Sequence, residues 1–211
     1  MNTCIDHIVI GTADLTLGTK ILETKLGVKF CPGGNHKLMG THNKLLKLQS
    51  NIYLELISNN PNFDKPSRER WFSLDQAYIK KKILKSPRAL CWVLKVDNID
   101  DAAKKCGYDP GEILRLSRDE LTWKVTVPSD GRLIENGVLP VLIEWPNNQH
   151  PSLNLDDSNV LINRISLFHP EPDKIKRIIF NLIESDLISI SKGLPKIEVT
   201  LMTRNEKIVI D

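Results

Sequence analysis

The sequence lacks the features that mark several common classes of protein. Its 211 residues include only four cysteines, which show neither paired metal-finger spacing nor the pattern of a disulfide framework. The formal net charge is only +3 and the lysines are scattered, which argues against a nucleic-acid-binding protein. No apolar run approaches the roughly 18 residues of a membrane span, and no basic segment followed by an apolar one opens the chain. We therefore expect a cytoplasmic protein that binds neither nucleic acid nor membranes.

Common catalytic motifs are missing as well. The sequence has no nucleophile elbow, no phosphate-binding glycine loop and no dinucleotide fingerprint. Pro32-Gly33-Gly34 is followed neither by a Lys-Thr pair nor by a strand-to-helix junction, so no P-loop is predicted there. With 41% hydrophobic residues, the chain is nevertheless long enough to bury a sizeable core as one or two domains.

What the sequence does contain is isolated polar residues within apolar segments typical of strands. Residues 53–57 include Glu55, residues 141–145 include Glu144, and the apolar run 4–10 includes His7. A carboxylate in a mostly buried strand is costly unless a cation, hydrogen bonds or a bound metal compensates it. We therefore predict that these residues face a shared cavity.

The predicted secondary structure repeats along the chain. A β-α-β-β-β order is predicted first from residue 5 and again from residue 90, with Asp14 and Asn98 as helix N-caps and Gly27 and Gly107 just past the helix ends. This order predicts an α+β fold. The expected segments are a first βαβββ module (1–60), a connecting helical segment (61–87), a second βαβββ module (88–146), a linker (147–158) and a C-terminal βαβββ-like unit (159–211).

Three local predictions accompany this scheme. Residues 28–31 are predicted to form a strand that enters a turn at 32–35. Residues 73–76, Ser-Leu-Asp-Gln, match a capping box that would start the connecting helix. Residues 162–165 line up with residues 5–8, with arginine in place of histidine, so the C-terminal unit is interpreted as a structural third copy.

The chain resembles the glyoxalase-like branch of the vicinal oxygen chelate superfamily over roughly residues 4 to 151. The resemblance implies that the paired modules curl into a cupped mixed sheet, which in that superfamily usually holds a divalent metal. Its members include isomerases or lyases, ring-cleaving dioxygenases, resistance enzymes and non-catalytic binding proteins, so the fold does not fix the function. The matching segments are Ile5-Asp6-His7-Ile8-Val9, Pro32-Gly33-Gly34-Asn35-His36, Gly40-Thr41-His42-Asn43, Tyr53-Leu54-Glu55-Leu56-Ile57, Ser117-Arg118 with Trp123, Leu142-Ile143-Glu144-Trp145 and His150-Pro151.

The resemblance implies a metal site built from the first and last strands of both modules. Its ligands would be His7 and Glu55 from the first module and Glu144 from the second. Aligning the two helix caps places Cys91 opposite His7, and a one-residue slip places Trp92 there instead. The expected second histidine is missing in either case. Such a donor set suits zinc, manganese, iron or nickel.

Purely structural roles are also consistent with these residues. Cys91 could be a small buried hydrophobe, and His7 a hydrogen-bonded core histidine. Glu55 could pair with Arg118 or share a proton with Glu144.

Four further residues are predicted near the cavity. His42 could act as a general acid or base, or it could fix the preceding loop. Arg118 could bind a carboxylate or phosphate of the substrate, or it could be solvated at a hairpin. Trp123 is predicted to contact the substrate, and His150 to close the cavity mouth. The remaining histidines, His36 and His169, have no predicted role.

Two functions follow from these residues. The first is an enzyme of lyase or isomerase type that abstracts a proton next to a carbonyl. Glu55 or Glu144 would be its general base, with a pKa raised by burial and by the other carboxylate, and a metal would polarise the carbonyl. The alternative is a non-catalytic protein that sequesters a small ligand in the same cup. The C-terminal unit is expected to cover a sheet edge or to pair with another subunit in a homodimer.

Overall fold

The computed structural model describes residues 2–49, 51–118, 120–146 and 149–211. No helix in these ranges is long and apolar enough to cross a membrane. The α-helices are α1 (Leu15–Leu26), α2 (Ala77–Ile83), α3 (Ile99–Lys105) and α4 (Pro172–Leu182). The strands are β1 (Thr3–Gly11), β2 (Cys31–His36), β3 (Thr41–Lys47), β4 (Tyr53–Asn59), β5 (Arg88–Val96), β6 (Glu112–Arg118), β7 (Leu121–Val127), β8 (Val141–Glu144), β9 (Leu161–His169), β10 (Ile188–Lys192), β11 (Lys196–Met202) and β12 (Lys207–Ile210).

The first eight strands form one mixed sheet in the order β2-β3-β4-β1-β5-β8-β7-β6. Each half is a βαβββ module whose first and last strands are parallel neighbours, and the two halves meet where β1 runs antiparallel to β5. The edge strands β2 and β6 also lie close to each other, so the sheet curls into a cup. The predicted α+β fold of paired βαβββ modules is therefore confirmed.

The two faces of this sheet belong to different cores because side chains alternate along a strand. The outer face, with Ile8, Leu54 and Trp92, packs against α1, α3 and the C-terminal unit. The inner face, with Val9 and Val93, forms a second core inside the cup. Polar side chains on the inner face are therefore held in an apolar surrounding.

The helices of the two modules begin and end as the sequence predicts. Asp14 accepts a hydrogen bond from the backbone N–H of Leu17, and Asn98 accepts one from that of Asp101. Gly27 follows α1 with a φ of 69°, the left-handed conformation that favours glycine at a helix end.

Two local predictions are wrong. Ser73 does not cap a helix, because its φ is 54° and its hydroxyl accepts from the backbone N–H of Leu133 instead, so α2 starts four residues later. The predicted turn at 32–35 belongs to β2, which begins at Cys31. Pro32 is tolerated there because β2 is an edge strand, and its pairing with β3 is irregular between Pro32 and Asn35.

The C-terminal unit has the predicted β-α-β-β-β order but a different pairing of strands. Its sheet has the order β10-β9-β11-β12, so β9 is flanked by β10 and β11. In the first module the equivalent strand β1 pairs instead with the last strand, β4. Arg164, aligned with His7 in sequence, is exposed. The unit contributes Ile165, Ile179 and Val199 to the core outside the cup.

Candidate functional site

A small cavity lies inside the cup between the two modules. It has about 30 Å³ of space for a water-sized sphere, enough for a water or a small polar group. The first module, the connecting segment and the second module all contribute to its wall. The side chains of that wall include His7, His36, Asn43, Tyr53, Glu55, Trp71, Val93, Arg118, Trp123, Val141, Ile143 and Trp145.

An irregularity in β1 allows two consecutive polar side chains to be buried at this cavity. The pairing of β1 with β5 shifts between Ile5 and His7, as in a β-bulge, and both Asp6 and His7 are buried. Asp6 Oδ1 lies 2.5 Å from His7 Nδ1. Asp6 Oδ2 accepts hydrogen bonds from Trp145 Nε1 at 2.9 Å and from His150 Nε2 at 3.0 Å. Asp6 thus fixes the orientation of the His7 ring and leaves Nε2 facing the cavity.

Glu55 on β4 lies opposite that nitrogen. Its Oε2 atom is 3.5 Å from His7 Nε2, and its Oε1 atom accepts a hydrogen bond from Asn43 Nδ2 at 2.5 Å. His36 Nε2 is 4.0 Å from Oε1. The carboxylate is buried, so these contacts compensate its lost hydration.

The pKa shifts of His7, Glu55 and Asp6 all favour the charged form of each side chain. Burial alone would lower the pKa of His7, but hydrogen bonds and charge attraction from Asp6 and Glu55 raise it to about 9. Burial alone would raise the pKa of Glu55, yet His7 and the Asn43 amide lower it to about 2. The same balance, with hydrogen bonds from His150 and His7, holds the pKa of Asp6 well below its usual range. At neutral pH, His7 is therefore an imidazolium between two carboxylates.

Aromatic rings surround this charged cluster. Tyr53 stacks on His7 with the ring centroids 4.6 Å apart, and Trp123 and Trp145 lie 5.3 Å apart on the opposite wall. Burial lowers the pKa of His36 to about 4, so its ring is neutral and packs edge-on against Trp71. The site combines one polar centre with a largely aromatic enclosure.

Glu144 does not belong to this site, which corrects the sequence-based prediction. Alternation along β8 turns Val141 and Ile143 into the cup and Glu144 to the outside. Its Oε2 accepts from the backbone N–H of Ile99 at the start of α3, at 2.7 Å, and its Oε1 lies 2.9 Å from Lys124 Nζ. No twin carboxylate therefore raises the pKa of Glu55 or shares its proton.

The predictions for His42 and Cys91 also need correction. His42 is only partly buried and neighbours Asn43, whose opposite orientation places Asn43, not His42, in the cavity wall. Cys91 is buried in the inner core but is not among the side chains of the cavity wall, and burial raises the pKa of its thiol well above the usual value. The alternative Trp92 faces the outer core and donates to the carbonyl of Val138.

The remaining predicted residues lie at the cavity or directly behind it. Arg118 and Trp123 contribute to its wall. Arg118 Nη1 lies 3.4 Å from Asn43 Oδ1, so Asn43 bridges Arg118 and Glu55. His150 lies behind the wall, where it holds Asp6.

The donor set does not fit the metal site that the superfamily resemblance implies. His7 and Glu55 supply one imidazole and one carboxylate from the first module. The second module places Val93 and Ile143 on the inner face, and neither can bind a metal. Among the described residues, no group of three or more His, Cys, Asp or Glu side chains could hold an ion. Two ligands are fewer than protein zinc sites use.

Sequence reasoning missed Asp6, His36, Asn43 and the ring of Trp71. The signal for Asp6 was available, because two consecutive polar residues in a buried strand imply a bulge. Asn43 could have been found from its strand. β3 pairs antiparallel with β4 so that Leu45 lies opposite Glu55, and Asn43, two residues away, points to the same face of the sheet. No local signal marks Trp71, because the irregular connecting segment brings it to the cavity.

The family model and one solved structure agree with this architecture. The family model of the glyoxalase-like domain matches residues 5–182, most of the chain. A hypothetical protein from Staphylococcus aureus has a TM-score of 0.61 at 15% identity, over 99% of this chain and 84% of that chain. A methylmalonyl-CoA epimerase from Mycobacterium tuberculosis gives 0.44 at 19% identity, over 67% and 87%. No curated protein matches. The match of the family model shows that the chain belongs to the glyoxalase-like domain family.

Proposed function

We propose that this protein is a small-molecule enzyme that moves a proton next to a carbonyl group. The observation that carries the proposal is the buried pair of His7 and Glu55, whose facing atoms are 3.5 Å apart at a cavity. A buried ion pair is often no more stable than apolar packing, so a fold keeps one at a cavity chiefly when the site uses it.

In the proposed reaction, the His7 imidazolium donates a hydrogen bond from Nε2 to the carbonyl oxygen of the substrate. Asp6 keeps the Nδ1 proton in place and stabilises the positive charge on the ring. Glu55 takes the proton from the neighbouring carbon, and the negative charge that develops on the oxygen is stabilised by His7. Return of the proton to another atom of the enolate, or to the opposite face of the same carbon, gives an isomerase, whereas loss of a leaving group from the enolate gives a lyase.

The resting pKa of Glu55, about 2, is low for a general base. His7 is a principal cause of that low value. A substrate oxygen that takes the hydrogen bond of His7 weakens this interaction, so the pKa of Glu55 rises in the complex. The base is therefore strengthened when substrate is bound.

Hydrogen–deuterium exchange tests this chemistry without knowledge of the final product. The protein is incubated in D₂O with 2-oxo acids, 2-hydroxyaldehydes and their phosphate esters, and the C–H signal next to the carbonyl is followed by proton NMR. We expect exchange with at least one compound class and a loss of roughly 100-fold or more in Glu55→Gln.

Glu144→Gln is the matched control, because it neutralises the carboxylate of the corresponding strand outside the cup. We expect it to exchange protons at close to the wild-type rate. Equal exchange by wild type and a folded Glu55→Gln variant would rule out Glu55 as the base.

The second candidate is a protein that sequesters a small ligand without reaction. The observation in its favour is that both oxygens of Glu55 already have partners, Asn43 and His7. It predicts that a compound raises the melting temperature while its C–H signal persists in D₂O. The two functions are thus separated in one set of samples.

The proposed setting is the cytoplasm, with a free small molecule as the partner and the protein as a homodimer. The near balance of charge and the low number of cysteines support that setting. Sedimentation equilibrium of the purified protein tests the dimer.

A further inference from the structure

We propose that the groove between the edge strands β2 and β6 binds a phosphate group of the substrate while the carbonyl end of that substrate lies in the cup. The proposal rests on the proposed function for the carbonyl end only. It assigns a substrate class, a phosphorylated carbonyl compound, to a site that is otherwise defined only by its proton-transfer groups.

The groove lies where the two edges of the eight-stranded sheet approach each other. It is far larger than the cavity in the cup, with about 800 Å³ against about 30 Å³ of space for a water-sized sphere. Ligand sites of small molecules usually occupy a few hundred to about 1,000 Å³. The cup alone therefore has room for a reactive group, and the groove has room for the rest of a substrate.

The groove and the cup are adjacent. His36 and Arg118 line both of them, so these two side chains form the boundary between the two spaces. In our proposal, the ligand passes between these side chains, with its carbonyl end beside Glu55 and its phosphate in the groove.

The charge of the groove is positive. Its lining includes Lys37, Arg115 and Arg118, and no acidic residue is among the described side chains that form it. None of these three cations has an ion pair with another described residue, whereas arginines elsewhere, such as Arg70 and Arg132, do. Ser117 adds a hydroxyl to the same wall. Arg115 and Ser117 alternate with Arg118 along β6, so the groove receives positive charge from both faces of this edge strand. Positive charge spread along a groove favours an anion with several charged oxygens, such as a phosphate ester, over a single carboxylate.

Arg118 is positioned for this role by the backbone of the opposite edge. A Cβ atom built on Gly34 would collide with Cδ of Arg118, so the glycine lets the arginine stem cross from β6 to β2. Gly34 also donates its N–H to Asn43 Oδ1, the atom that Arg118 Nη1 approaches at 3.4 Å. The guanidinium is thereby held at the junction of groove and cup.

Isothermal titration calorimetry with sodium pyrophosphate tests the groove directly, with inorganic phosphate and malonate as comparison ligands. We expect pyrophosphate to bind more tightly than malonate, with an affinity that falls as salt rises. Replacing both exposed cations in Lys37→Gln/Arg115→Gln should weaken binding roughly tenfold or more. Arg132→Gln, which removes an exposed arginine outside the groove, is the matched control and should leave the affinity unchanged.

Gly34→Ala provides a test that changes no charge. The added methyl group must displace the Arg118 stem, so we expect weaker pyrophosphate binding with an unchanged circular dichroism spectrum. Binding that is equal in wild type and in the double variant would overturn the proposal, as would tighter binding of malonate than of pyrophosphate or no binding of pyrophosphate at millimolar concentration.

Failure of the groove proposal can be distinguished from failure of the proposed proton transfer, because Glu55→Gln should affect only the second. Glu55→Gln should keep or slightly improve pyrophosphate binding, because it removes a negative charge near Arg118 without touching the groove. Loss of exchange in that variant with intact pyrophosphate binding supports both proposals. Exchange that depends on Glu55 but no phosphate binding by the wild type overturns the groove alone.

Discussion

The two modules of the cup share a topology but face the cavity with opposite chemistry. The first module presents His7 and Glu55 to the cavity, with Asp6 behind His7, and all three are buried and charged at neutral pH. On the matching strands of the second module, Val93 and Ile143 occupy the inner face. The two modules thus keep the same strand pairing while only the first carries ionisable side chains at these inner positions.

Glu55 and Glu144 differ because they occupy strand positions whose side chains point to opposite faces of the sheet. Glu55 shares the inner face with Tyr53, whereas Glu144 shares the outer face with Leu142. A shift of one position along a strand reverses the side of the sheet. The same residue type therefore faces the cavity in one strand and accepts a hydrogen bond from the start of a helix in the other.

Removing Asp6 should produce the largest effect on the polar module. Asp6→Ala leaves the protonated His7 ring without its closest partner and removes the acceptor of Trp145 and His150. We expect the free energy of unfolding to fall by about 3–5 kcal/mol, measured by urea denaturation. Asp97→Ala, an exposed carboxylate after β5, should change it by less than about 0.5 kcal/mol. A loss below about 1 kcal/mol for Asp6→Ala would contradict the buried network.

A double substitution should give the second module the same type of polar side chains on its inner face as the first. Val93 pairs with His7 across the β1–β5 junction, so Val93→His/Ile143→Glu adds an imidazole and a carboxylate to the inner face. Four donors then match a zinc site. We expect zinc at about 100 times its dissociation constant to stabilise this variant by roughly 3 kcal/mol, read from the melting temperature, and to leave the wild type unchanged. Stoichiometric zinc in the purified wild type would contradict this expectation, because it would show that the first module alone, with His7 and Glu55, is enough to bind the ion.

The pH dependence of stability should reveal the charge on His7. Its folded pKa of about 9 lies above the ordinary value of 6.5, so its contribution is fully present below pH 6.5 and is lost as pH rises toward 9. The difference in unfolding free energy between wild type and His7→Gln should therefore shrink across this range, by on the order of 2 kcal/mol. A difference that stays constant from pH 6 to pH 9.5 would mean that folding does not raise the pKa of the ring.

The smallest effect is expected from the outer carboxylate. Glu144→Gln weakens the charge interaction with the first turn of α3 and with Lys124, while an amide oxygen can still accept from Ile99. We expect a loss of about 0.5–1 kcal/mol in unfolding free energy. Ligand binding should not change, which would be checked by the same calorimetry as for the groove.

The fold could be predicted largely from the sequence because its signals are local. The caps Asp14 and Asn98, the stop at Gly27 and the repeated order of elements all depend on neighbouring residues. The pairing of the C-terminal sheet could not be predicted in this way. Whether β9 lies beside β10 or beside a later strand is decided by contacts distant in sequence.

The candidate site was only half accessible to sequence reasoning. His7 and Glu55 were placed at a cavity because an ionisable residue in an apolar strand is costly to bury unless something compensates it. Glu144 was misplaced because the same argument cannot fix which side of β8 the residue faces. Trp71 and the shared lining of the groove depend on how distant segments fold over the cup, and no spacing in the sequence encodes that.

Because of the bulge in β1, the geometry of the site depends on the number of residues in this strand. A regular strand would turn Asp6 and His7 to opposite sides, so deleting one residue before His7 would restore alternation and bury one of the two against the helices. Substitutions elsewhere in β1 alter one contact at a time. A single deletion here would separate the imidazole from the carboxylate that orients it, even though every remaining side chain was retained. Insertions and deletions should therefore be far less tolerated in these few residues than in the surface turns of the same sheet.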